Sequence, residues 1–478
     1  MQSRRDQVQA YFFMVGRLVS ALMRGRPDEQ ATPTRRFVVG AVIGTLLGGL
    51  VVAGFGVYGM VVPGGNNSWR APGTVIVAKE TGTRFLYLDG VLHPVLNYSS
   101  AMLASNSPQS TVKSVSQNSL QGVPRGAPIG IADAPDSLPS AKNLISDPWV
   151  ACVATVASPS GAEVPIIDLQ VGAPPGAPLT DDEGLLVSTP DSGTFLVWQG
   201  KRLRMPNATA VNALGYGDII PFPVPTGWIN ALATGPDLVS AKVPGAGSAG
   251  MRVAGQPSRV GQIYEVRNPV LGKTDFYLLL ADGFAPLTPT MASLLLADPA
   301  ISAAYPGKPP APIAVGPEVL AAIPRSASLG TPAGYPPVPP RVRSVGIGGS
   351  LRPCAAFAVT GRTAGETTIR LVSRAEATGT GQMSPGASQR ITVPPNRGVL
   401  VRDQPAPGVP TGTHFLVSDL GVKYPLPSLD VAATLGYGGV PPVPVPTPLL
   451  SLLPTGPALD PAAAVRMHPA SPQPAAIN

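Results

Sequence analysis

The chain has 478 residues, with 34 Lys and Arg against 27 Asp and Glu, a net charge of +7 and only 13% charged residues. Fifty-nine prolines and 54 glycines exclude a long helical rod. No concentrated basic groove with interleaved aromatics stands out, so nucleic acid is not a partner that this composition supports.

In residues 1–36, Val8, Tyr11, Phe12, Val15, Leu18, Val19 and Leu22 recur at helical spacing, interspersed with Arg4, Arg5, Arg17 and Arg24. The pattern predicts a short amphipathic helix. It suits either the inner membrane surface, where arginines meet anionic lipid, or a partner subunit.

Residues 37–62 contain no Asp, Glu, Lys, Arg, His, Asn or Gln. As a helix this run is long enough to cross a hydrocarbon core of about 30 Å. A cleavable signal peptide would have an apolar section of about 7 to 15 residues ending near a small-residue cleavage site. Here the run is longer and stops at Pro63, Gly64 and Gly65 without a convincing site, so a retained anchor is expected. Arg4, Arg5, Arg17, Arg24, Arg26, Arg35 and Arg36 precede it, opposed only by Asp6, Asp28 and Glu29. Basic residues favour the cytoplasmic flank of a first span, which puts the N-terminus inside the plasma membrane and the large C-terminal portion in the periplasm. Gly40, Gly44 and Gly48, four apart, form a possible packing face for another transmembrane helix.

Beyond the span, one pattern recurs. Thr81–Leu88 runs into Asp89-Gly90; Asp191–Trp198 leads to Gly200; Gly272–Leu279 is followed by Asp282-Gly283; Thr411–Val417 reaches Gly421. Each copy has a turn, an apolar strand and a second turn, then residues suited to a short helix such as Ser99–Ala104, Thr288–Ala297 or Ser428–Leu435. Copies two and four agree further. LGYG at 214–217 recurs at 435–438, PFPVP at 221–225 aligns with PVPVP at 442–446, and Thr234-Gly235-Pro236 recurs as Thr455-Gly456-Pro457. Such small hairpins must pack on a neighbour or a larger core, and the proline segments should be extended.

The expected layout is a linker over 63–73, repeats at 74–105, 185–238, 261–299 and 405–460, and a linker over 239–260. A central domain occupies 106–184 and 300–404, and 461–478 is a mobile Pro/Ala-rich tail. Cys152 and Cys354 both lie beyond the span, where an oxidising compartment permits them to pair; two buried free thiols are the alternative. The fold class is mixed α+β: a cytoplasmic amphipathic helix, a single transmembrane helix, and an elongated head of four degenerate strand-hairpin/helix repeats around a disulfide-linked core.

No residue qualifies for catalysis, a cofactor or a metal. Gly272-Lys273-Thr274 imitates the end of a phosphate-binding loop, but position 267 is Arg rather than the required Gly, and an apolar strand follows where a helix should. No G-x-S-x-G elbow occurs, and His93, His414 and His468 are scattered. Asp181, Asp182 and Glu183 are adjacent rather than opposed across a cleft. Two cysteines and three such histidines supply no metal-ligand spacing.

The order of basic helix, span and repeated head resembles the EccB family, membrane-core components of type VII (ESX) secretion systems. So do the segment Asp89–Asn97, the separated Cys152 and Cys354, and the segment Gln9–Arg17, a diverged form of the family's cytoplasmic helix. The sequence departs from the family at Gly16, where an arginine pair is usual, and around Pro27–Thr34. The resemblance implies a structural subunit assembled with EccC, EccD and EccE components, the mycosin protease, further EccB copies and membrane lipid. Although some members carry an ATPase label, the incomplete loop lends it no residue-level support. The alternative is an anchored module that binds peptidoglycan or another envelope polymer; an anchored hydrolase is a weaker third reading.

Overall fold

The structure, a computed structural model, describes residues 4–24, 34–61, 67–106 and 111–468, leaving aside 147, 159, 173–175, 192, 269–271, 327–331, 347, 361–362, 382, 384–387 and 407–408. Two helices come first, α1 (Arg4–Arg24) and α2 (Thr34–Val61). The second begins upstream of the uncharged run and takes Arg35 and Arg36 into its first turn. It is the one helix among the described residues long and apolar enough to cross a membrane, and none of it is buried by the rest of the chain. Val62, at the end of the predicted run, lies outside the described residues.

Among the described residues the head contains five sheets. In the first, β1 (Thr74–Ala78), β2 (Arg84–Leu88) and β3 (Val91–Pro94) form an antiparallel meander; α3 (Tyr98–Ser105) follows, and β4 (Thr111–Val115) returns parallel to β1. The chain then makes a long hairpin, β5 (Trp149–Ala157) and β6 (Glu163–Val171), and the short β7 (Ala177–Pro178). The second sheet repeats the plan with β8 (Glu183–Thr189), β9 (Gly193–Trp198), β10 (Lys201–Met205), α4 (Ala208–Ala213) and β11 (Phe222–Pro223); α5 (Thr226–Ala231) and β12 (Ala233–Thr234) come next. A third follows with β13 (Ile263–Asn268), β14 (Lys273–Leu280), β15 (Gly283–Leu287), α6 (Pro289–Leu296) and β16 (Ile313–Val315).

After α7 (Val319–Ala322), β17 (Arg341–Val342) runs back to lie beside β8. The second hairpin, β18 (Leu351–Thr360) and β19 (Thr363–Ser373), precedes β20 (Gln389–Thr392). The fourth sheet contains β21 (Val399–Gln404), β22 (His414–Val417), β23 (Lys423–Leu426), α8 (Leu429–Ala432) and β24 (Val443–Pro446). Two short helices, α9 (Thr447–Leu450) and α10 (Pro461–Ala464), end the described chain.

Local chemistry explains why four segments take one form. Each helix that follows a meander is opened by a side-chain oxygen accepting from the amide three residues on: Asn97 from Ser100 (3.0 Å), Asn207 from Ala210 (2.9 Å), Thr288 from Met291 (3.2 Å) and Ser428 from Val431 (3.4 Å). These oxygens satisfy amides that a helix start leaves unpaired. Asp89-Gly90 and Gln199-Gly200 both sit at positive φ and close two-residue hairpins, which need that conformation to match the strand twist.

The two long hairpins meet in one central sheet of order β20-β6-β5-β18-β19-β7. Outward from the β5–β18 seam, each side reads a first strand, its hairpin partner and an edge strand supplied by the other half of the chain. The cores follow the same exchange. One joins the first and fourth sheets through Val75, Leu86 and Leu103 against Leu416, Leu435 and Tyr437. Another packs Leu294 of α6 against the second sheet. The largest runs through the central sheet into the second and fourth.

Several expected boundaries change. The predicted hairpin is only the middle two strands of each unit, since a first strand precedes the repeated motif and a last one follows the helix. Thus β4 and β21, assigned by sequence to the central domain, pair within the first and fourth sheets, and β16 lies past the predicted end at 299. Residues 63–73 are not wholly a free linker, because Trp69 is fully buried with its ring 5.4 Å from that of Tyr87. Nor is 239–260, where Val253 and Val260 are buried. The segment after Asp460 is packed as far as His468. Ala464 is fully buried, Gly130 N–H donates to the Arg466 carbonyl, and His468 N–H donates to that of Pro128 at 2.8 Å. Apolar contact with the first sheet orders what composition alone suggested was loose; residues 469–478 lie outside the described residues.

The Cys152–Cys354 disulfide crosses the seam between residues 202 apart in sequence. Removing it frees a long loop in the unfolded chain, so Cys152→Ala with Cys354→Ala should cost about 2–5 kcal/mol. Urea unfolding followed by circular dichroism measures this; an unchanged midpoint would contradict it.

Candidate functional site

The seam is the most heavily committed part of the head. Cys152 and Cys354 are direct partners across antiparallel β5 and β18, their Cα atoms 4.0 Å apart, and both are buried. Val150, Ala356, Val372 and Ala377 cover them. Ala377 belongs to the connection after β19, which a buried carboxylate holds in place. Asp168 on β6, with no exposed surface, accepts from Gly379 N–H (2.8 Å) and Arg390 Nη1 (3.0 Å), while Gln170 donates to the Glu376 carbonyl (3.0 Å). Burial pushes the Asp168 carboxyl above its ordinary value, outweighing the Gly379 and Arg390 contacts that favour its charge. Arg352, also fully buried, donates to the Gly349 and Leu351 carbonyls at 2.8 and 2.9 Å.

On the opposite face, Trp228 of α5 donates to the Ala151 carbonyl at 2.8 Å and so keys the second sheet onto β5. Gly227 beside it leaves room for Ile167 and Leu452, which an added Cβ would crowd. The two LGYG tyrosines do matching work. Tyr216 Oη donates to the Pro340 carbonyl and Tyr437 Oη to that of Pro139, each at 2.8 Å and each buried. Burial raises both phenols well above their ordinary range, so they remain neutral donors. Each bond holds a distant segment that runs on beside the start of the sheet: β17 lies beside β8, and Leu144 bridges Gly398, next to β21.

The residues weighed for chemistry are dispersed among such structural contacts. Gly272 sits at φ 61° in a turn, and Lys273 opens β14 with its amine 3.0 Å from Asp275, so the GKT fragment feeds a strand. Asp182 and Glu183 pair with Arg341 (2.8 Å) and Arg343 (3.2 Å), pinning β17, and Asp181 offers its carbonyl to Trp198 Nε1. His93 Nδ1 is 2.9 Å from the Ala127 carbonyl, and His468 Nε2 is 2.7 Å from that of Gly130. His414 lies on β22, its basicity lowered by burial and by Arg402. Among the described residues no group of three or more His, Cys, Asp or Glu could hold a metal. In α2, a Cβ built on Gly40, Gly44 or Gly48 meets nothing within 4 Å, so that face is open.

One repeated element escaped the sequence reading. Val123-Pro124-Arg125 and Ile323-Pro324-Arg325 bridge β3 at Leu92 and β15 at Phe284 through matching bonds: Leu92 N–H to Pro124 and Phe284 N–H to Pro324, both 2.8 Å. The signal was a Leu-x-x-Φ-Pro-Arg string at 120–125 and 320–325, too short to stand out without the sheets.

A family profile described as "Type VII secretion system ESX-1, transport TM domain B" matches residues 1–473. The chain belongs to this EccB family. EccB3 of Mycolicibacterium smegmatis, named an ESX-3 secretion system ATPase, is 31% identical over 98% of the chain and 91% of its own length. EccB3 of Mycobacterium tuberculosis is 28% identical over 97% and 89%. Among solved structures, the EccB3 dimer from the ESX-3 core complex superposes with a TM-score of 0.66 at 28% identity, covering 82% of this chain and 99% of that one. A chain of the intact ESX-5 inner membrane complex shares the fold at 22% identity and TM-score 0.67, over 100% and 98%. The ATPase in the relatives' names has no counterpart in this EccB chain's GKT fragment, which enters a strand and lacks the upstream glycine.

Because its folded-state value is raised, Asp168 contributes stability below that value that is lost as pH rises through it. Relative to Asp168→Asn, the parent head should therefore gain stability between pH 7 and pH 4. Paired chemical unfolding at the two pH values tests the sign; a relative loss on acidification would refute it.

Proposed function

We propose that this EccB chain is a noncatalytic scaffold of a type VII secretion membrane complex, holding its periplasmic part to the membrane. The observation that carries the reading is the commitment of its chemistry-bearing side chains. The cysteines, the buried acid, the LGYG tyrosines and the acidic turn before β8 all join one segment of the head to another. The full-length relatives support it, since a solved one is described within an ESX-5 inner membrane complex and another as a dimer in an ESX-3 core complex.

In this reading the four similar sheets are copies of one repeat, at 74–115, 183–238, 263–315 and 399–459. Two such copies plus one central hairpin make each half. The arginine-rich N-terminal side of the span faces the cytoplasm, because arginine is retained where it need not cross the bilayer. EccC, EccD and EccE components, the mycosin protease, further EccB copies and membrane lipid are the proposed partners, with ATP hydrolysis supplied by EccC. The open Gly40, Gly44 and Gly48 face is the proposed contact within the membrane.

Native pull-down of the full-length chain from detergent should recover several other membrane subunits. Recovery of this chain alone, under conditions that preserve other membrane assemblies, would count strongly against a scaffold. Saturable binding of the isolated head to cell wall would favour the envelope-binding alternative instead. Gly44→Leu should lower co-recovery of membrane subunits severalfold while the head's circular dichroism stays unchanged. Undiminished recovery would remove this face from the assembly.

A further inference from the structure

Two adjoining depressions of about 550 and 350 Å³ open on the second sheet and share Asp191 and Arg204. One extends toward Asn207 and Asn212 around α4, the other toward Thr234 and Asp237 around β12. Together they make a trough of mixed lining, in which Met205, Val211 and Ile219 stand beside the charged and amide groups. The Asp191 carboxylate is fixed in it by the Thr226 hydroxyl at 2.8 Å. Arg202, two residues before Arg204 on the same strand face, is bonded to Asn230 and Thr234. Arg204 is exposed, and its guanidinium makes no hydrogen bond or ion pair among the described residues.

The fourth sheet reveals what the fold itself requires at this point. Aligning the two LGYG segments sets Arg204 opposite Pro425, and the backbone agrees. The Arg204 carbonyl accepts from Leu238 N–H at 2.8 Å, and that of Pro425 from Leu459 N–H at 2.9 Å. One step away, the carbonyls of Arg202 and Lys423 accept from Gly235 and Gly456, both at 2.9 Å. Lys423 also keeps a structural bond, donating to the Leu450 carbonyl at 2.6 Å. Chain reversal thus needs only a carbonyl at position 204. A guanidinium with five N–H donors is surplus to the fold there.

We infer that the trough binds a polypeptide segment carrying a single carboxylate, which Arg204 takes in a two-point pair. Asn207 spends its side-chain oxygen on the helix cap and keeps its amide N–H₂ for a main-chain carbonyl. Asp191 and Asp237 decide the class of ligand. They repel a dense polyanion, whereas a peptide presents one carboxylate among neutral groups. An exposed ion pair is weak, so main-chain contacts along the trough must supply much of the affinity. The inference stands apart from the scaffold reading, since it rests on the head's own geometry.

The test uses the full-length chain in detergent and dye-labelled, end-capped five-residue alanine peptides with either glutamate or glutamine at the centre. Fluorescence anisotropy should show saturable binding with about fivefold preference for glutamate. Arg204→Gln should abolish that preference, and Lys201→Gln, an equal charge loss on the same strand, should leave it intact. Equal affinity for both peptides, no saturation at millimolar peptide, or a preference that survives Arg204→Gln would overturn the proposal. So would tighter binding of polyphosphate that is lost in Arg204→Gln, which would reassign the trough to a phosphate polymer.

Discussion

The antiparallel pairing of β5 with β18 is the constraint on which the head depends. Its register sets Cys152 opposite Cys354, so a disulfide joins residues 202 apart in sequence. It also makes one six-stranded sheet from two distant hairpins, each of which would be marginal alone. Everything between the cysteines, including the second and third sheets, is enclosed by that closure.

From the seam outward, the halves of the chain are interlocked rather than side by side. The first sheet packs on the fourth, α6 of the third packs on the second, and β7 and β20 cross to the other hairpin. The Tyr216 and Tyr437 bonds and the β17 pairing fasten the returning segments. The third sheet buries one face under its own α6, and Ile76, Phe85 and Leu92 of the first pack on Trp69 and Leu120, whereas other faces are buried in cores shared between halves. The core shared by the first and fourth sheets extends to Leu459 and Ala464, near the end of the described residues.

Much of this was legible in the sequence because it depends on local rules. An uncharged run of this length has few uses besides a span, and a side-chain cap opens the helix after each of the four meanders. LGYG and the proline strings marked two copies because their spacing is kept. Less legible were strands that earn their place only by pairing. β4 and β21 carry no motif, and Leu-x-x-Φ-Pro-Arg is too short to register until β3 and β15 are seen beside it. Proline and alanine in 461–468 suggested looseness, because composition reports what a segment can bury and not what a neighbour offers it.

The sequence by itself determined the membrane span, the basic flank, the recurring turn-strand-turn-helix unit and the incompleteness of the phosphate loop. These follow from hydrophobicity, charge and near-neighbour geometry, which need no distant partner. Only the tertiary structure decided that the cysteines meet across a sheet seam, that sheets from opposite ends share a core, and that Arg204 has no partner among the described residues where its counterpart is Pro425. Those facts depend on contacts between residues hundreds of positions apart, and such contacts arise only when apolar faces with no internal partner find one another.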